Sequence, residues 1–234
     1  MTGAADEDDN EIALPGGRTT AGVVRVGDTV RRPRTARSDV VRRLLRHLAA
    51  KGFDGAPDHL GTDAEGRDIL TFIPGEVPGD LGFHDDPTLI AAAILIRRFH
   101  DATADLADPS TGAEVVCHND LSPCNFVFRD GVPVAMIDFD AAAPGTRADD
   151  LGYAAWLWLD IGTDEITADE QARRLGVLLD AYGTDDRPAI VAAMLARQAS
   201  LAAEGGGRGD RAMAAWATAC HAWTERHRAL LTRR

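Results

Sequence analysis

The chain is expected to be an α+β protein in two lobes: a small β-rich N-terminal lobe with one helix, then a larger, mainly helical lobe that carries a β-hairpin. Three observations predict this. Short β-branched runs crowd the first third of the sequence, Pro74-Gly75-Glu76-Val77-Pro78-Gly79 interrupts it, and helical periodicity dominates from Asp86 onward, broken by one hairpin signal at Asp130-Gly131.

Taken in order, residues 1–10 are acidic and poor in apolar side chains, which predicts a mobile tail. Val23 to Val26 and Thr29 to Arg32 read as two strands about the tight turn Gly27-Asp28, closed by Pro33. Val40, Val41, Leu44, Leu45 and Leu48 recur at helical spacing, with Ser38 as N-cap and Gly52 as stop. Asp68 to Ile73 is a short apolar strand that runs into the connector, so the lobes divide as residues 11–75 and 76–234.

Asp86-Pro87 supplies a cap and a first-turn proline for a helix whose apolar face is Ile90, Ile94, Leu95 and Phe99. Past the hairpin, Trp156, Trp158 and Asp160 lie on one helix. Thr167-Ala168-Asp169-Glu170 has capping-box spacing, and Gly183 ends the helix it begins. Two further helices, at about 187–203 and 209–231, are separated by Gly205-Gly206-Gly207.

At 234 residues and 45% hydrophobic content the chain can bury a full core. No stretch approaches ~18 uninterrupted apolar residues and the N-terminus is acidic, so neither a membrane span nor a signal peptide is expected, and the location is read as cytoplasmic. Three cysteines without paired spacing argue against a disulfide framework or a zinc site. A net charge of −12 disfavours nucleic acid as a partner and mildly favours a cationic small molecule. Lys51 is the only lysine against 24 arginines, so no G-x-x-x-x-G-K-[ST] loop exists and any cation gripping a phosphate must be an arginine.

The hairpin gathers the chemistry. Strands 126–129 and 132–137 should pair so that residues whose numbers sum to about 261 face each other, which leaves Asn125 and Asp138 roughly 5 Å apart at the open end. Two oxygen ligands facing one spot suit Mg²⁺, which keeps several waters and completes its shell with substrate phosphates. Asp120, upstream of Asn125, is left to touch a substrate.

The run His118-x-Asp120-Leu121-x-x-x-Asn125, followed by Ile137-Asp138-Phe139, resembles the catalytic loop and metal-binding segment of the protein-kinase-like fold. Residue types, the Asp-to-Asn spacing and the intervening hairpin all agree. Asp138-Phe139-Asp140 lacks the glycine of protein kinases and no A-P-E segment follows, so a protein substrate is disfavoured. The chain is similar instead to the aminoglycoside phosphotransferase family, relatives of the choline kinases. Arg97-Arg98-Phe99-His100-Asp101 and Arg147-x-x-Asp150-Leu151 agree with it, and the resemblance covers about residues 20–160.

The resemblance implies a small-molecule kinase that moves the γ-phosphoryl group of ATP or GTP to a hydroxyl of an aminoglycoside or similar aminated acceptor. It implies Asp120 as the residue that orients and deprotonates that hydroxyl, and Asn125 and Asp138 as the Mg²⁺ ligands. Phe72 and Ile73, at the entry to the connector, would contact the nucleotide. His118 braces the loop, Asp150 accepts the loop's N–H groups, and Asp140 binds a second metal or polarises the first. Where the family places a lysine on the third strand this chain offers Arg31, with Arg32 on the opposite face as second choice. The helix glutamate that pairs with that lysine is missing, Val41 falling near its position with Asp39 the only nearby acid. Gly16-Gly17-Arg18-Thr19-Thr20 is a candidate phosphate loop or a plain turn. Acids of the last helices, among them Asp160, Asp164, Glu165 and Glu204, are candidates for acceptor specificity. Other readings stay open: a kinase for choline, a homoserine-like amino acid or a sugar, a pseudokinase binding module, or a metal-dependent hydrolase.

Overall fold

In the computed structural model, which describes residues 11–14 and 22–233, five short antiparallel strands build the N-terminal part. They are β1 (Ile12–Ala13), β2 (Val24–Val26), β3 (Thr29–Arg32), β4 (His59–Thr62) and β5 (Asp68–Thr71), in the spatial order β1-β2-β3-β5-β4. Gly27, at φ 56°, supplies the left-handed backbone of the turn between β2 and β3. The expected acidic tail and the Gly16-Gly17 loop fall outside the described residues.

Helix α1 (Ser38–Ala50) buries Val41, Leu44, Leu45 and Leu48 in the hydrophobic core and meets the sheet at β4, while Val40, also expected in that stripe, stays half-buried. Ser38 is its first helical residue, not its cap: the buried hydroxyl accepts from the Thr35 N–H at 3.0 Å. After Gly52 the chain enters Phe53, whose N–H returns to the Leu48 carbonyl at 2.9 Å. The connector is itself hydrogen-bonded, because Glu76 exchanges two backbone bonds with Phe128, at 2.8 and 2.7 Å.

The C-terminal part is mainly helical. Asp85 caps α2 (Asp86–Thr103), one residue earlier than expected, by accepting from the Thr88 N–H. Its buried face is Leu89, Ala92, Ala93, Ile96 and Phe99, whereas Ile90 and Ile94 are exposed.

Between α2 and the later helices lie β6 (Val115–Cys117), a one-turn helix at Pro123–Asn125, and the hairpin β7 (Phe126–Arg129) and β8 (Val132–Met136). A further short strand, β9 (Ala143–Gly145), pairs with β6. The hairpin register runs Arg129↔Val132 and Phe128↔Pro133, then shifts at a bulge to Val127↔Ala135 and Phe126↔Met136. Asp130 and Gly131 both take positive φ, as a two-residue hairpin turn demands.

Helices α3 (Arg147–Trp158), α4 (Ala168–Tyr182), α5 (Arg187–Arg208) and α6 (Arg211–Leu231) complete the core. Trp156 and Trp158 are buried, while Asp160 lies just beyond the end of α3. α3 and α5 touch closely at Gly152, where an added Cβ would sit 2.6 Å from the Met194 nitrogen. The triple glycine does not separate two helices: α5 runs through it to Arg208, and Gly209 ends it in the left-handed region. Gly205 is needed inside the helix because a Cβ there would lie 2.9 Å from the Ala214 nitrogen of α6. Among the described residues no helix is long and apolar enough to cross a membrane.

Candidate active site

The segment 118–125 leaves β6 and turns back into β7 under tight backbone control. Asp150, fully buried at the start of α3, accepts the His118 N–H on Oδ2 at 2.6 Å and the Asn119 N–H on Oδ1 at 2.8 Å. Its Oδ2 also meets His100 Nε2 at 3.0 Å. Buried charge is tolerated only when its lone pairs are filled, and three donors fill them here. The side chains of the loop then reach across to the segment after β8. His118 Nε2 approaches the Ile137 carbonyl at 3.0 Å, and Asn119 Nδ2 donates to the Ala141 carbonyl at 3.0 Å.

Both Asn119 and Asp138 sit at φ 62°, the left-handed region that asparagine and aspartate tolerate better than other non-glycine residues. The backbone of Asn125 pairs with Ile137, whose N–H donates to its carbonyl at 2.9 Å, so Asp138 begins where Asn125 ends. Asn125 Nδ2 donates twice to Asp120, to Oδ2 at 2.8 Å and to the backbone carbonyl at 2.9 Å. Its amide oxygen is thereby left as the group that can take a cation.

Asp120 is held from the other side by the Tyr153 hydroxyl of α3, which donates to Oδ1 at 3.0 Å. Burial, with the Asp120 charge beside it, holds the Tyr153 phenol well above its ordinary pKa, so it remains a donor. Two donors therefore fix the orientation of the Asp120 carboxyl group and leave further lone pairs for an incoming hydroxyl. Tyr153 also lines a small cavity of about 140 Å³ together with Asn119, Asp149, Ala193, Ala196 and Arg197.

Asp138 and Asp140 share one cation. Arg32 Nη2 stands 3.1 Å from Asp138 Oδ1 and 2.5 Å from Asp140 Oδ2, bridging the β-rich part to the segment after β8. Arg37 extends the same bridge to the backbone carbonyls of Asp140 and Ala142. The expectation for Arg31 is corrected here. Its guanidinium turns to the other face of β3, donating to Thr29 Oγ1 and lying 3.7 Å from Asp63. Strand alternation puts neighbouring side chains on opposite faces, and the Arg32 face is the one that looks at the acids.

Other expected residues fall less close together. Phe72 carries the Arg25 guanidinium over its ring at 3.9 Å, and Ile73 is half-buried at the entry to the connector. Asp160, Asp164, Glu165 and Glu204 do not line the cavity at Tyr153, and Glu204 faces Ser200 and Arg208 instead. Tyr153 and Arg197 were not singled out by sequence reasoning. For Tyr153 a signal existed, since it lies one helical turn after Asp150 and shares its face. For Arg197, on a distant helix, none did.

The donor set suits a hard divalent cation. Asn125 and Asp138 offer oxygen only, and among the described residues no group of three or more His, Cys, Asp or Glu is placed to hold a metal alone. Two protein oxygens are what Mg²⁺ takes when waters and phosphates fill its other positions.

A carboxylate oriented by an amide and a phenol stands next to the oxygen-bearing end of the hairpin, an arrangement suited to receiving a hydroxyl beside a bound cation. The family model described as "Phosphotransferase enzyme family" matches residues 81–192, and the chain belongs to that family. A trifolitoxin immunity protein of Rhizobium leguminosarum bv. trifolii is 34% identical over 95% of this chain and 97% of its own length. The gentamicin complex of APH(2")-IIa has the same fold, with a TM-score of 0.59 at 15% identity, covering 97% of this chain and 92% of that one. A choline/ethanolamine kinase family protein from Mesorhizobium loti matches with a TM-score of 0.60 at 17% identity, over 90% and 88%. The fold is thus protein-kinase-like, and the protein is an enzyme that phosphorylates a hydroxyl group.

Proposed function

We propose that the protein transfers the γ-phosphoryl group of ATP or GTP to a hydroxyl of an amine-bearing small molecule, with aminoglycosides as the first class to test. The nucleotide lies between an N-terminal lobe, residues 11–75, and a C-terminal lobe, 76–234. Asp120 takes the proton of the acceptor hydroxyl as its oxygen bonds to the γ-phosphorus and the bond to the β-phosphate oxygen breaks, releasing the nucleoside diphosphate. Asn125 and Asp138 would hold Mg²⁺, which when bound would supply neutralising charge at the phosphates. Arg32 takes the phosphate-anchoring place first expected of Arg31, while His118 and Asp150 keep the loop in place. The site lies in a cytoplasmic enzyme on this reading.

The observation that carries this is the Asp120 carboxylate clamped between Asn125 and Tyr153. The relative named for immunity to a toxin supports an acceptor that is harmful to the cell and is disarmed by phosphorylation. The test is nucleotide consumption with Mg²⁺ across aminoglycosides, other antibiotics and amino alcohols, beside an Asp120→Asn control. Acceptor-dependent turnover should fall by about 10²- to 10⁴-fold in the control, the usual contribution of a general base. Nucleotide binding without turnover on any hydroxyl compound would favour a binding module, and phosphate-ester cleavage without nucleotide would favour a hydrolase.

A further inference from the structure

Asn119, the residue that leads into Asp120, is held by its N–H, its side chain and its carbonyl. The N–H donates to Asp150 Oδ1 at 2.8 Å, the side-chain amide donates to the Ala141 carbonyl at 3.0 Å, and the carbonyl accepts from Arg197 Nη2 of α5 at a long 3.4 Å. The third contact bears directly on the candidate base, because that carbonyl belongs to the peptide plane ending at the Asp120 nitrogen. Asn119 stands at φ 62°, and a non-glycine residue keeps such a backbone only where its surroundings fix it.

The same guanidinium reaches the base by a second route. Its Cζ lies 4.8 Å from the centre of the Tyr153 ring, whose hydroxyl donates to Asp120 Oδ1 at 3.0 Å. A cation against the face of a phenol both holds the ring and polarises its O–H toward an acceptor. Burial and the Asp120 charge keep the proton on that oxygen, with Arg197 opposing them only in part, so the phenol stays a donor. α5 is well placed for this work. Gly152 lets the backbones of α3 and α5 meet, and Gln198, next to Arg197, is buried and donates to Thr224 Oγ1 of α6 at 3.1 Å. An arginine suits the double task, since its planar face lies on a ring while an edge N–H reaches a carbonyl.

We infer that Arg197 is a positioning residue for phosphoryl transfer: from α5 it orients the Asp120 carboxyl group through the Tyr153 phenol and the Asn119–Asp120 peptide, without touching the acceptor. The inference rests on the reading of Asp120 as the group that takes the hydroxyl proton. It deepens that reading by tying the base to the C-terminal helices.

The test is a mutant cycle in the full chain with MgATP and MgGTP, on the acceptors that the hydroxyl screen yields and, beside them, on basal nucleotide hydrolysis. Arg197→Met keeps an apolar stem and removes the charge and the donors. It should lower kcat by about ten- to hundredfold with acceptor and nucleotide KM within about twofold, the scale for a reacting group held slightly out of place. Tyr153→Phe should do the same, and the two together should cost no more than the worse single change. In an Asp120→Asn background neither should lower turnover further, whereas a residue that only supports the fold would. Arg197→Lys should recover part of kcat. The chain has two tyrosines, so ring-carbon NMR of tyrosine-labelled protein follows Tyr153 beside Tyr182, with Tyr153→Phe giving the assignment. Asp120→Asn should move the Tyr153 signal, and should move it less when combined with Arg197→Met.

The inference is overturned if Arg197→Met raises an acceptor or nucleotide KM while kcat is kept, which would make Arg197 a binding residue. It is overturned equally if the kcat loss persists undiminished in the Asp120→Asn background, or if Asp120→Asn shifts the Tyr153 signal as far with Arg197→Met as without it. If Asp120→Asn leaves acceptor-dependent and basal turnover unchanged, the phosphotransferase reading itself fails, and the Tyr153 signal alone then decides whether Arg197 governs the contact with Asp120. Thermal melting identifies any variant that fails to fold, and Arg197→Lys then carries the comparison.

Discussion

Asp150 and His100 form a fully buried carboxylate–imidazole pair, Oδ2 to Nε2 at 3.0 Å, and the same carboxylate holds the two backbone N–H groups that begin the candidate catalytic loop. His100 is fixed in turn by the Tyr182 hydroxyl at 2.8 Å on Nδ1, so α2, α3, α4 and the loop meet at one polar knot. Asp150→Ala would leave the His118 and Asn119 N–H groups and the Nε2 of His100 without their acceptor. The expected loss is about 3–5 kcal/mol of unfolding free energy, read from urea titration. Asp150→Asn should cost less, because one carbonyl oxygen remains to accept. Both should depress kcat more than nucleotide affinity, since they release the loop that carries Asp120 and not the phosphate side of the cleft.

Legibility of the fold from sequence followed the range of the forces involved. The hairpin was readable because Asp130-Gly131 dictates its own turn, and Arg129↔Val132 and Phe128↔Pro133 follow from that local chemistry. The bulge beyond Phe128 was not, as nothing in the alternation marks the extra residue. β3 offered no phase: all four of its residues are half-buried, so the pattern could not say whether Arg31 or Arg32 faces the acids. The glycine run in α5 read as a break because propensity alone was visible, and the approach of α6 that calls for a missing Cβ was not. Arg197 joins Asn119 across 78 positions, a tertiary contact that no local pattern announces.

The two arginines of β3 should separate in a nucleotide titration. Arg32 bridges Asp138 and Asp140 from a side chain only 13% exposed, whereas Arg31 answers to Asp63 on the far face. Arg32→Ala is expected to raise the KM for nucleotide about tenfold or more, in line with losing a charge-assisted contact, and Arg32→Lys to restore part of it. Arg31→Ala should leave that KM within about twofold and instead lower thermal stability, because Arg31 and Asp63 are only 18% and 11% exposed and the substitution takes a cation from a shielded carboxylate. Equal effects of the two substitutions would remove Arg32 from the phosphate site.

Asp160 makes a pH prediction whose sign follows from its surroundings. Burial, then the nearby charge of Glu165, raises its pKa above the ordinary 3.8, and Arg174 opposes them only partly. The folded chain thus holds this proton more tightly than the unfolded one. Stability contributed at this site is greatest below pH 3.8 and falls as pH climbs through the raised native value, above which the full penalty applies. Asp160→Asn removes the ionisation and suits the backbone, because φ is 50° there and asparagine accepts that region. The variant should melt higher than wild type at pH 7, with the gap closing as pH is lowered toward 3.8. A gap independent of pH would mean that charge burial is not its cause.

Glycines inside helices give paired predictions of opposite sign. Gly206 lies in α5 with open space where a Cβ would be, so Gly206→Ala loses only the backbone freedom of the unfolded chain and should stabilise by about 0.5–1 kcal/mol. Gly205, its neighbour, would drive a Cβ to 2.9 Å from the Ala214 nitrogen, and Gly152 would drive one to 2.6 Å from the Met194 nitrogen. Backbone cannot swing aside as a side-chain tip can, so α5 must retreat from α6 in the first case and from α3 in the second. Each alanine should cost about 1–3 kcal/mol of unfolding free energy, the range for overpacking. Gly152→Ala adds a second effect, because the α3–α5 contact also sets the distance between Tyr153 and Arg197. Its kcat should fall while Gly205→Ala, remote from that pair, loses stability alone; steady-state kinetics beside urea titration of both variants checks the difference.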